Sequence, residues 1–184
     1  MRIFPPYYFY LLALLLMGIF GSTLIDFQSL FWSALYATDY IAPKGWLLGH
    51  TWSLAVEEQF YLLMPFVLLL FGVVRSKRIL IYIILLSPLI RLADYSIFGD
   101  DYVWAFMGFH TQVDALAVGC MLALYQNKLE QSRVYVRSLT KWTFGLLPLA
   151  ILIINLQEDH PKFYYSVGIS AMNVMIALCI NWCV

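Results

Sequence analysis

The sequence predicts an all-α fold, a polytopic bundle of transmembrane helices with about six spans and one re-entrant or interfacial segment. Three observations predict this class. First, 62% of the 184 residues are hydrophobic and 12% are charged, whereas soluble domains are about half apolar and about a quarter charged. Second, aromatic residues reach 17%, as expected where rings lie at membrane interfaces. Third, long apolar runs recur, and a helix crosses a bilayer with about 20 residues.

Six apolar runs are the predicted spans, namely residues 7–25, 52–74, 79–92, 102–124, 142–156 and 163–184. Pro5 and Pro6 suit the first turn of the first helix, because a proline there removes an N–H that has no helical partner. The run 79–92 is short and extends through its flanks. No linker or internal repeat divides the chain, so the sequence predicts one membrane domain over residues 1–184.

Charged residues between the runs predict the orientation of the spans. The two basic clusters are Arg75, Lys77 and Arg78, followed by Lys128, Arg133, Arg137 and Lys141. The two acidic segments hold Asp94, Asp100 and Asp101, followed by Glu158 and Asp159. Basic loops favour the cytoplasm, so run 52–74 enters from outside and Arg2 directs run 7–25 outward. If residues 27–50 crossed as well, the first basic cluster would lie outside. We therefore expect residues 27–50 to stay on the outer side as a re-entrant or interfacial segment.

Charge and cysteine usage argue against two classes of site. The formal net charge is zero and no basic tract is present, so nothing indicates a nucleic-acid partner. Cys120, Cys179 and Cys183 lie inside apolar runs, and no CxxC pair or His/Cys cluster accompanies them. Packing roles are therefore expected for the cysteines, and neither a metal site nor a bound cofactor is predicted.

The most informative segment runs from residue 50 to residue 61. Ser53, Glu57 and Tyr61 are spaced by four and share one helix face, from which Glu58 is turned by about 100°. An ionised carboxylate at the centre of a transmembrane helix costs about 2.5–3.5 kcal/mol, so acids in a span need a partner, a cavity or a proton. Two interpretations remain open: a structural hydrogen-bond network among the three side chains, and a ligand site.

A second polar segment covers residues 110–114. His110 and Asp114 are four apart, so their side chains can form an imidazole–carboxylate hydrogen bond on one helix face. Such a pair can transfer a proton or serve as a polar tie between helices, and both interpretations remain open. Arg91 and Asp94, three apart, are expected to form a local ion pair. The asparagines within the spans are expected to bond across helices, and they are Asn155, Asn173 and Asn181.

Residues 52–65 resemble the signature of the membrane acyltransferase-3 family, the O-acyltransferases that modify sugars of cell-surface polysaccharides. The family pattern Ser-x-x-x-Glu-x-x-x-Tyr falls on Ser53, Glu57 and Tyr61. The resemblance runs through most of the chain and is strongest over residues 46–70.

Two shorter runs extend the resemblance. Residues 114–119 are similar to a second family block, which often reads Arg-x-Asp-x-Leu-x-x-Gly, although Gln112 stands where an arginine is common. Residues 2–8 are similar to the segment that opens the family's third helix, where Arg2 matches the second arginine of an Arg-x-x-Arg pair. The family's presumed catalytic histidine is on a helix before this point. We therefore expect a partial acyltransferase-3 domain, truncated at both ends, that is inactive when expressed alone.

The resemblance implies an integral protein of a bacterial inner (plasma) membrane with no bound cofactor. The implied reaction transfers a short acyl group, as in O-acetylation, from acyl-CoA at the cytoplasmic side to a sugar hydroxyl. The acceptor would be a cell-surface polysaccharide, lipopolysaccharide included, or a lipid-linked sugar. The implied site residues are Arg2 for the donor phosphates, Ser53, Glu57 and Tyr61 as the catalytic face, and His110 and Asp114 as a supporting polar pair.

Two other functions remain open. In an inactive remnant or a membrane assembly partner, the same residues would have structural roles only. In a transporter component, Glu57 and Asp114 would line a pathway, because acids inside a membrane often mark ion or substrate routes. Dependence on an ion gradient separates a transporter from an acyltransferase, which consumes acyl-CoA instead.

Overall fold

The computed structural model describes residues 4–21, 26–41, 46–99 and 106–183, and all regular elements within them are helical. In chain order they are α1 (Phe4–Ile19), α2 (Phe27–Ala34), a 3₁₀ turn (Thr38–Tyr40), α3 (Thr51–Phe98), α4 (Phe109–Glu130), α5 (Arg133–Asp159), the single turn α6 (Pro161–Phe163), a π-helical turn (Tyr164–Gly168) and α7 (Ile169–Cys183). The all-α prediction is confirmed. Arg2 and the predicted span ends at residues 25, 102 and 184 lie outside the described residues.

Helix α3 contains two of the predicted spans, joined by a break at Gly72. Gly72 has φ 69° and ψ 166°, a backbone conformation that is open mainly to glycine. The break divides α3 into an arm of residues 51–71 and an arm of residues 73–98. The two arms fold back on each other, because Phe60 and Leu80 belong to one core cluster.

Helix α4 packs against both arms of α3 and completes the main core. Its buried side chains Val113 and Ala117 meet Phe60 and Leu80 from the two arms. Helix α7 packs against α4 and α5. The result is a set of packed helices in which both the α3 hairpin and α4 contact the C-terminal part of the chain.

Among the described residues, one of the three asparagines expected to bond across helices has such a partner. Asn181 of α7 donates a 2.8 Å hydrogen bond to the Tyr135 hydroxyl of α5. Asn155 instead donates to the carbonyl of Ile151 at 3.0 Å, because the carbonyl four residues back is the nearest acceptor. The buried Nδ2 of Asn173 has no hydrogen-bond partner among the described residues. The prediction is therefore confirmed for Asn181 and wrong for Asn155, and for Asn173 it stays a prediction.

Residues 27–50, named here the re-entrant segment after the sequence prediction, contact α1 and α3 through their described parts, 27–41 and 46–50. Leu30, near the start of α2, and Leu48, just before α3, pack in the same core cluster on α1. Between them the chain reaches Asp39, whose side chain bonds that of Gln59, two turns into α3. Residues from both sides of the segment therefore pack against α1, and the expectation that residues 27–50 do not cross the membrane stays a prediction.

Within the described residues, one helical stretch, Pro161–Trp182, combines 22 residues with a mean hydropathy of 1.7, enough to span a membrane by length and composition. Helix α1 is apolar but shorter. Large apolar side chains are exposed on both arms of α3, among them Leu62, Leu69, Leu70, Leu85, Leu89 and Ile97. Exposed apolar surface of this extent indicates contact with a membrane or with another protein.

Candidate functional site

Asp39 and Gln59 join the re-entrant segment to α3 and α4. The Gln59 Nε2 atom donates hydrogen bonds to Oδ1 of Asp39 at 2.9 Å and to the carbonyl oxygen of Tyr36 at 2.8 Å. The second Asp39 oxygen accepts a 3.1 Å hydrogen bond from the backbone N–H of Phe109. Phe109 opens α4, and the preceding residue Gly108 has no side chain to cap the helix. Asp39 therefore satisfies a free N–H of α4 from another element.

Burial makes the Asp39 carboxylate dependent on these donors. The residue is 2% exposed. Burial raises the pKa of Asp39 above its ordinary value, and the hydrogen bonds from Gln59 and from the Phe109 N–H act in the opposite direction. An ionised group is costly to bury unless it is hydrogen-bonded. Asp39 thus holds the re-entrant segment in one position against α3 and α4.

A cavity of about 570 Å³, named here the polar cavity, lies between α1, the end of α2 and the first arm of α3. It is lined by Phe4, Leu35, Tyr36, Glu58, Gln59, Tyr61 and Leu62. Glu58 and Tyr61 are three residues apart, so both project from one face of α3. Glu57 is not among the lining residues. The cavity is therefore lined by Tyr61 and Glu58, although the four-residue spacing had grouped Tyr61 with Glu57 and placed Glu58 on another face.

Tyr36 combines backbone strain with an unpaired hydroxyl. Its φ is 53°, in the left-handed region that bulky residues rarely adopt. Its ring stacks on Tyr7 at 4.8 Å and meets Phe4 edge-on at 5.7 Å. The hydroxyl is buried and has no hydrogen-bond partner within the described part of the chain. Burial, with smaller contributions from Tyr8 and Glu58, raises the pKa of Tyr36 to about 12, so the phenol stays protonated at neutral pH.

The face predicted from spacing does not form a hydrogen-bond network. Ser53 donates to the carbonyl of His50 at 3.1 Å, in the first turn of its own helix. Ser53 and Tyr61 are exposed and Glu57 is partly exposed. Across the described residues no hydrogen bond joins any two of Ser53, Glu57 and Tyr61. The structural-network interpretation is therefore wrong, because side chains on an open helix face point outward and not along the helix.

Two predicted pairs exchange partners in the structure. The His110 Nε2 atom lies 2.9 Å from Oδ2 of Asp94, and Arg91 forms an ion pair with Asp114 through Nη2 and Oδ1. The predicted pairs His110–Asp114 and Arg91–Asp94 are therefore wrong. Each charged group meets its partner across the interface between α3 and α4, where side chains of two helices face each other, and not along its own helix.

The Arg91–Asp114 pair is buried and extensively hydrogen-bonded. Arg91 and Asp114 are both 0% exposed. Arg91 Nε donates to the carbonyl of Thr111 at 2.7 Å, and Nη1 donates to the Ser170 hydroxyl at 2.8 Å. Ser170 in turn donates to the other oxygen of Asp114 at 2.7 Å. Because a buried ion pair needs such a set of hydrogen bonds, this network is a structural tie between α3, α4 and α7.

His110 lies on the other side of the first α3 arm from the polar cavity. Its ring is nearly parallel to that of Tyr40, with centroids 5.8 Å apart, and its side chain is 38% exposed. His110 also lines a cavity of about 310 Å³ whose walls are mostly apolar and include Phe60 and Met64. The His110–Asp94 pair can exchange a proton, but it does not share a cavity with the glutamates of α3.

The cysteines and acids do not assemble a metal centre in the described part of the chain. Cys120 and Cys179 are free and partly exposed, and the side chain of Cys183 lies outside the described part. Among the described residues, no group of three or more His, Cys, Asp or Glu side chains is arranged to hold a metal ion.

Tyr36, Asp39 and Gln59 are site residues that the sequence analysis missed. Asp39 had a detectable signal, because a lone acid in an apolar run needs a buried partner. Gln59 lies inside the signature run but is outside the family pattern. No signal pointed to Tyr36, because a positive φ leaves no mark in residue spacing.

No family model matches the chain, and no solved structure matches it. The chain is 38% identical over 132 residues to O-acetyltransferase OatA of Staphylococcus aureus (strain NCTC 8325 / PS 47), in an alignment that covers 66% of the chain and 21% of that protein. It is 28% identical over 142 residues to the protein named "Putative peptidoglycan O-acetyltransferase YrhL" of Bacillus subtilis (strain 168). This alignment covers 72% of the chain and 22% of that protein.

A third relative extends the alignment. The chain is 27% identical over 164 residues to a protein named "Putative O-acetyltransferase" of Staphylococcus aureus (strain COL), with 82% of the chain and 26% of that protein covered. The chain thus spans about a quarter of the length of the curated relatives it matches. It is similar to proteins that share the name O-acetyltransferase.

Proposed function

We propose that the chain is part of a membrane O-acyltransferase of the acyltransferase-3 type, which transfers a short acyl group such as acetyl to a sugar hydroxyl. The observation that carries this proposal is the position of the family-like signature in the fold. The helix that bears it, α3, lines the polar cavity with Glu58, Gln59 and Tyr61. The similarity to proteins named O-acetyltransferases supports the same function and covers from 66% to 82% of the chain.

Acyl transfer to a hydroxyl requires orientation of the hydroxyl, acceptance of its proton and stabilisation of the negative charge on the tetrahedral intermediate. We assign the orientation of the hydroxyl to a carboxylate of the signature helix. Helical spacing favours Glu57, together with Ser53 and Tyr61. The walls of the polar cavity favour Glu58, together with Tyr61. The two assignments differ in which of the adjacent glutamates acts, Glu57 or Glu58. Replacing each glutamate in turn by glutamine therefore distinguishes between them.

The proposed donor is acyl-CoA, and the proposed acceptor is a polysaccharide or a lipid-linked sugar. A guanidinium suits phosphate oxygens, so Arg2 is the proposed contact for the donor phosphates. Phe4, two residues later, lines the polar cavity, which supports a donor whose reactive end reaches this cavity. The cavity volume of about 570 Å³ lies within the usual range of small-molecule sites.

The proposed location is a bacterial plasma membrane, with six crossings and the re-entrant segment on the outer side. At about 1.5 Å per residue, each arm of α3 is long enough to cross about 30 Å of hydrocarbon. Lys77, near the start of the second arm and next to the turn at Gly72, lies 4.2 Å from the ring centroid of Tyr125 near the end of α4. The turn and the basic cluster that begins at Lys128 therefore lie at one end of the bundle, which fits a cytoplasmic end.

The test compares cells that carry the complete gene with cells that lack it, because the chain expressed alone is expected to be inactive. Mild alkali releases ester-linked acetate from the cell-surface polysaccharide for quantification. Membranes from both kinds of cell are then supplied with labelled acetyl-CoA and isolated polysaccharide. We expect acetyl transfer that requires the gene, and ester acetate in whole cells that persists when an uncoupler collapses ion gradients. Equal ester acetate with and without the gene contradicts the proposal, and loss of acetylation on uncoupling indicates a transporter instead.

A further inference from the structure

Tyr36 has two unfavourable features that its packing does not explain. Its left-handed backbone is unusual for a bulky side chain, and its buried hydroxyl lacks a hydrogen-bond partner among the described residues. Proteins retain such strain mainly at functional sites, and each unpaired buried polar group calls for a specific explanation. Tyr36 lies in the wall of the polar cavity, near Glu58. A bound molecule in that cavity can supply the missing acceptor.

We propose that the Tyr36 hydroxyl stabilises the negative charge that forms during acyl transfer in the polar cavity, an inference that rests on the function proposed above. The acceptor oxygen bonds to the carbonyl carbon of the thioester, and the carbonyl electron pair moves onto its oxygen. Tyr36 donates a hydrogen bond to that oxygen. The electron pair then returns to re-form the carbonyl, and the carbon–sulfur bond breaks. The proton lost by the acceptor hydroxyl ends on the thiolate, so that an ester and free CoA are formed.

The surroundings of Tyr36 suit a fixed donor. Its carbonyl is held by Gln59 at 2.8 Å, and its ring is packed against Tyr7 and Phe4. A donor held in place before the reaction needs no reorganisation when charge develops, and shielding from water strengthens its effect. The cavity wall also includes Tyr61 and Leu62, which are exposed and can rotate to admit a substrate oxygen.

The test is the variant Tyr36→Phe in the protein expressed from the complete gene, which removes the hydroxyl and keeps the ring. We expect kcat for acetyl transfer to fall about 100-fold or more with little change in KM. We also expect the thermal midpoint in mild detergent to stay equal or to rise, because the lost hydroxyl makes no hydrogen bond to any described residue. Tyr10→Phe is the matched control. Its hydroxyl donates to the carbonyl of Leu47 at 2.6 Å, so this variant should be less stable and equally active per folded molecule.

The possible outcomes separate this inference from the proposed function. Wild-type turnover in Tyr36→Phe overturns the role of Tyr36 and leaves the acyltransferase proposal standing. A loss of activity that only follows a loss of folded protein also overturns the role, because the hydroxyl would then be structural. If membranes with the unsubstituted protein transfer no acetyl group, the proposed function fails and the role of Tyr36 fails with it.

Discussion

The amide nitrogen of Gln59 lies 2.9 Å from Oδ1 of Asp39, and this hydrogen bond connects α3 to the re-entrant segment. The same nitrogen donates to the carbonyl of Tyr36. One side chain of the signature helix therefore positions both the buried acid and the strained tyrosine. The shape of the polar cavity depends on this contact, because Tyr36 and Gln59 both line it.

Gln59→Leu should destabilise the protein, because it removes both hydrogen bonds and leaves the buried Asp39 with fewer donors. We expect a loss of about 1–3 kcal/mol in the free energy of unfolding, measured by denaturant unfolding in mild detergent. Gln28→Leu is the matched control, because the Gln28 side chain is exposed on α2. It should change the stability by less than about 0.5 kcal/mol. Similar losses of unfolding free energy in the two variants would show that the Gln59 hydrogen bonds do not stabilise the protein.

The two side-chain pairs that join α3 and α4 should differ in strength. Asp114→Asn leaves the buried Arg91 without its counter-charge and should cost about 3–5 kcal/mol. Asp94→Asn breaks a pair whose histidine side chain is 38% exposed, so it should cost less than about 1 kcal/mol. The same unfolding measurement compares them. A larger loss in Asp94→Asn than in Asp114→Asn would contradict the structural role of the buried pair.

The two adjacent glutamates of the signature helix should differ in activity. Because Glu58 lines the polar cavity and Glu57 does not, we expect Glu58→Gln to lower acetyl transfer at least about tenfold, and more than Glu57→Gln does. Each substitution keeps the shape and removes the charge. The measurement is acetylated product per unit of membrane-inserted protein. If Glu57→Gln alone abolishes transfer, the face with Ser53 and Tyr61 is the working surface.

The turn between the α3 arms should be cytoplasmic. Val74→Cys, in a background without other cysteines, should not react with an impermeant reagent added to intact cells, whereas Ile97→Cys at the opposite end should react. Both side chains are exposed. Ser76 is a poorer probe site, because it is buried and donates to the carbonyl of Gly72 at 2.8 Å. External labelling of Val74→Cys would reverse the proposed orientation.

Composition and the pattern of apolar runs determined the helical class and most of the helix positions. The runs 52–74 and 79–92 match the two arms of α3, and the glycine that separates the arms lies near their boundary. The loop charges also predict that residues 27–50 do not cross the membrane, because basic loops favour the cytoplasm. These properties depend on local composition, length and charge, and each of them can be read along a single chain.

Only the tertiary structure decided which polar side chains meet. Helical spacing correctly describes which residues share a face of one helix, but the partner of a side chain depends on the rotation and depth of the neighbouring helix. Arg91 therefore meets Asp114, His110 meets Asp94, and Glu58 lines the polar cavity. These contacts are properties of the interface between two packed elements, and the periodicity within either element does not encode that geometry.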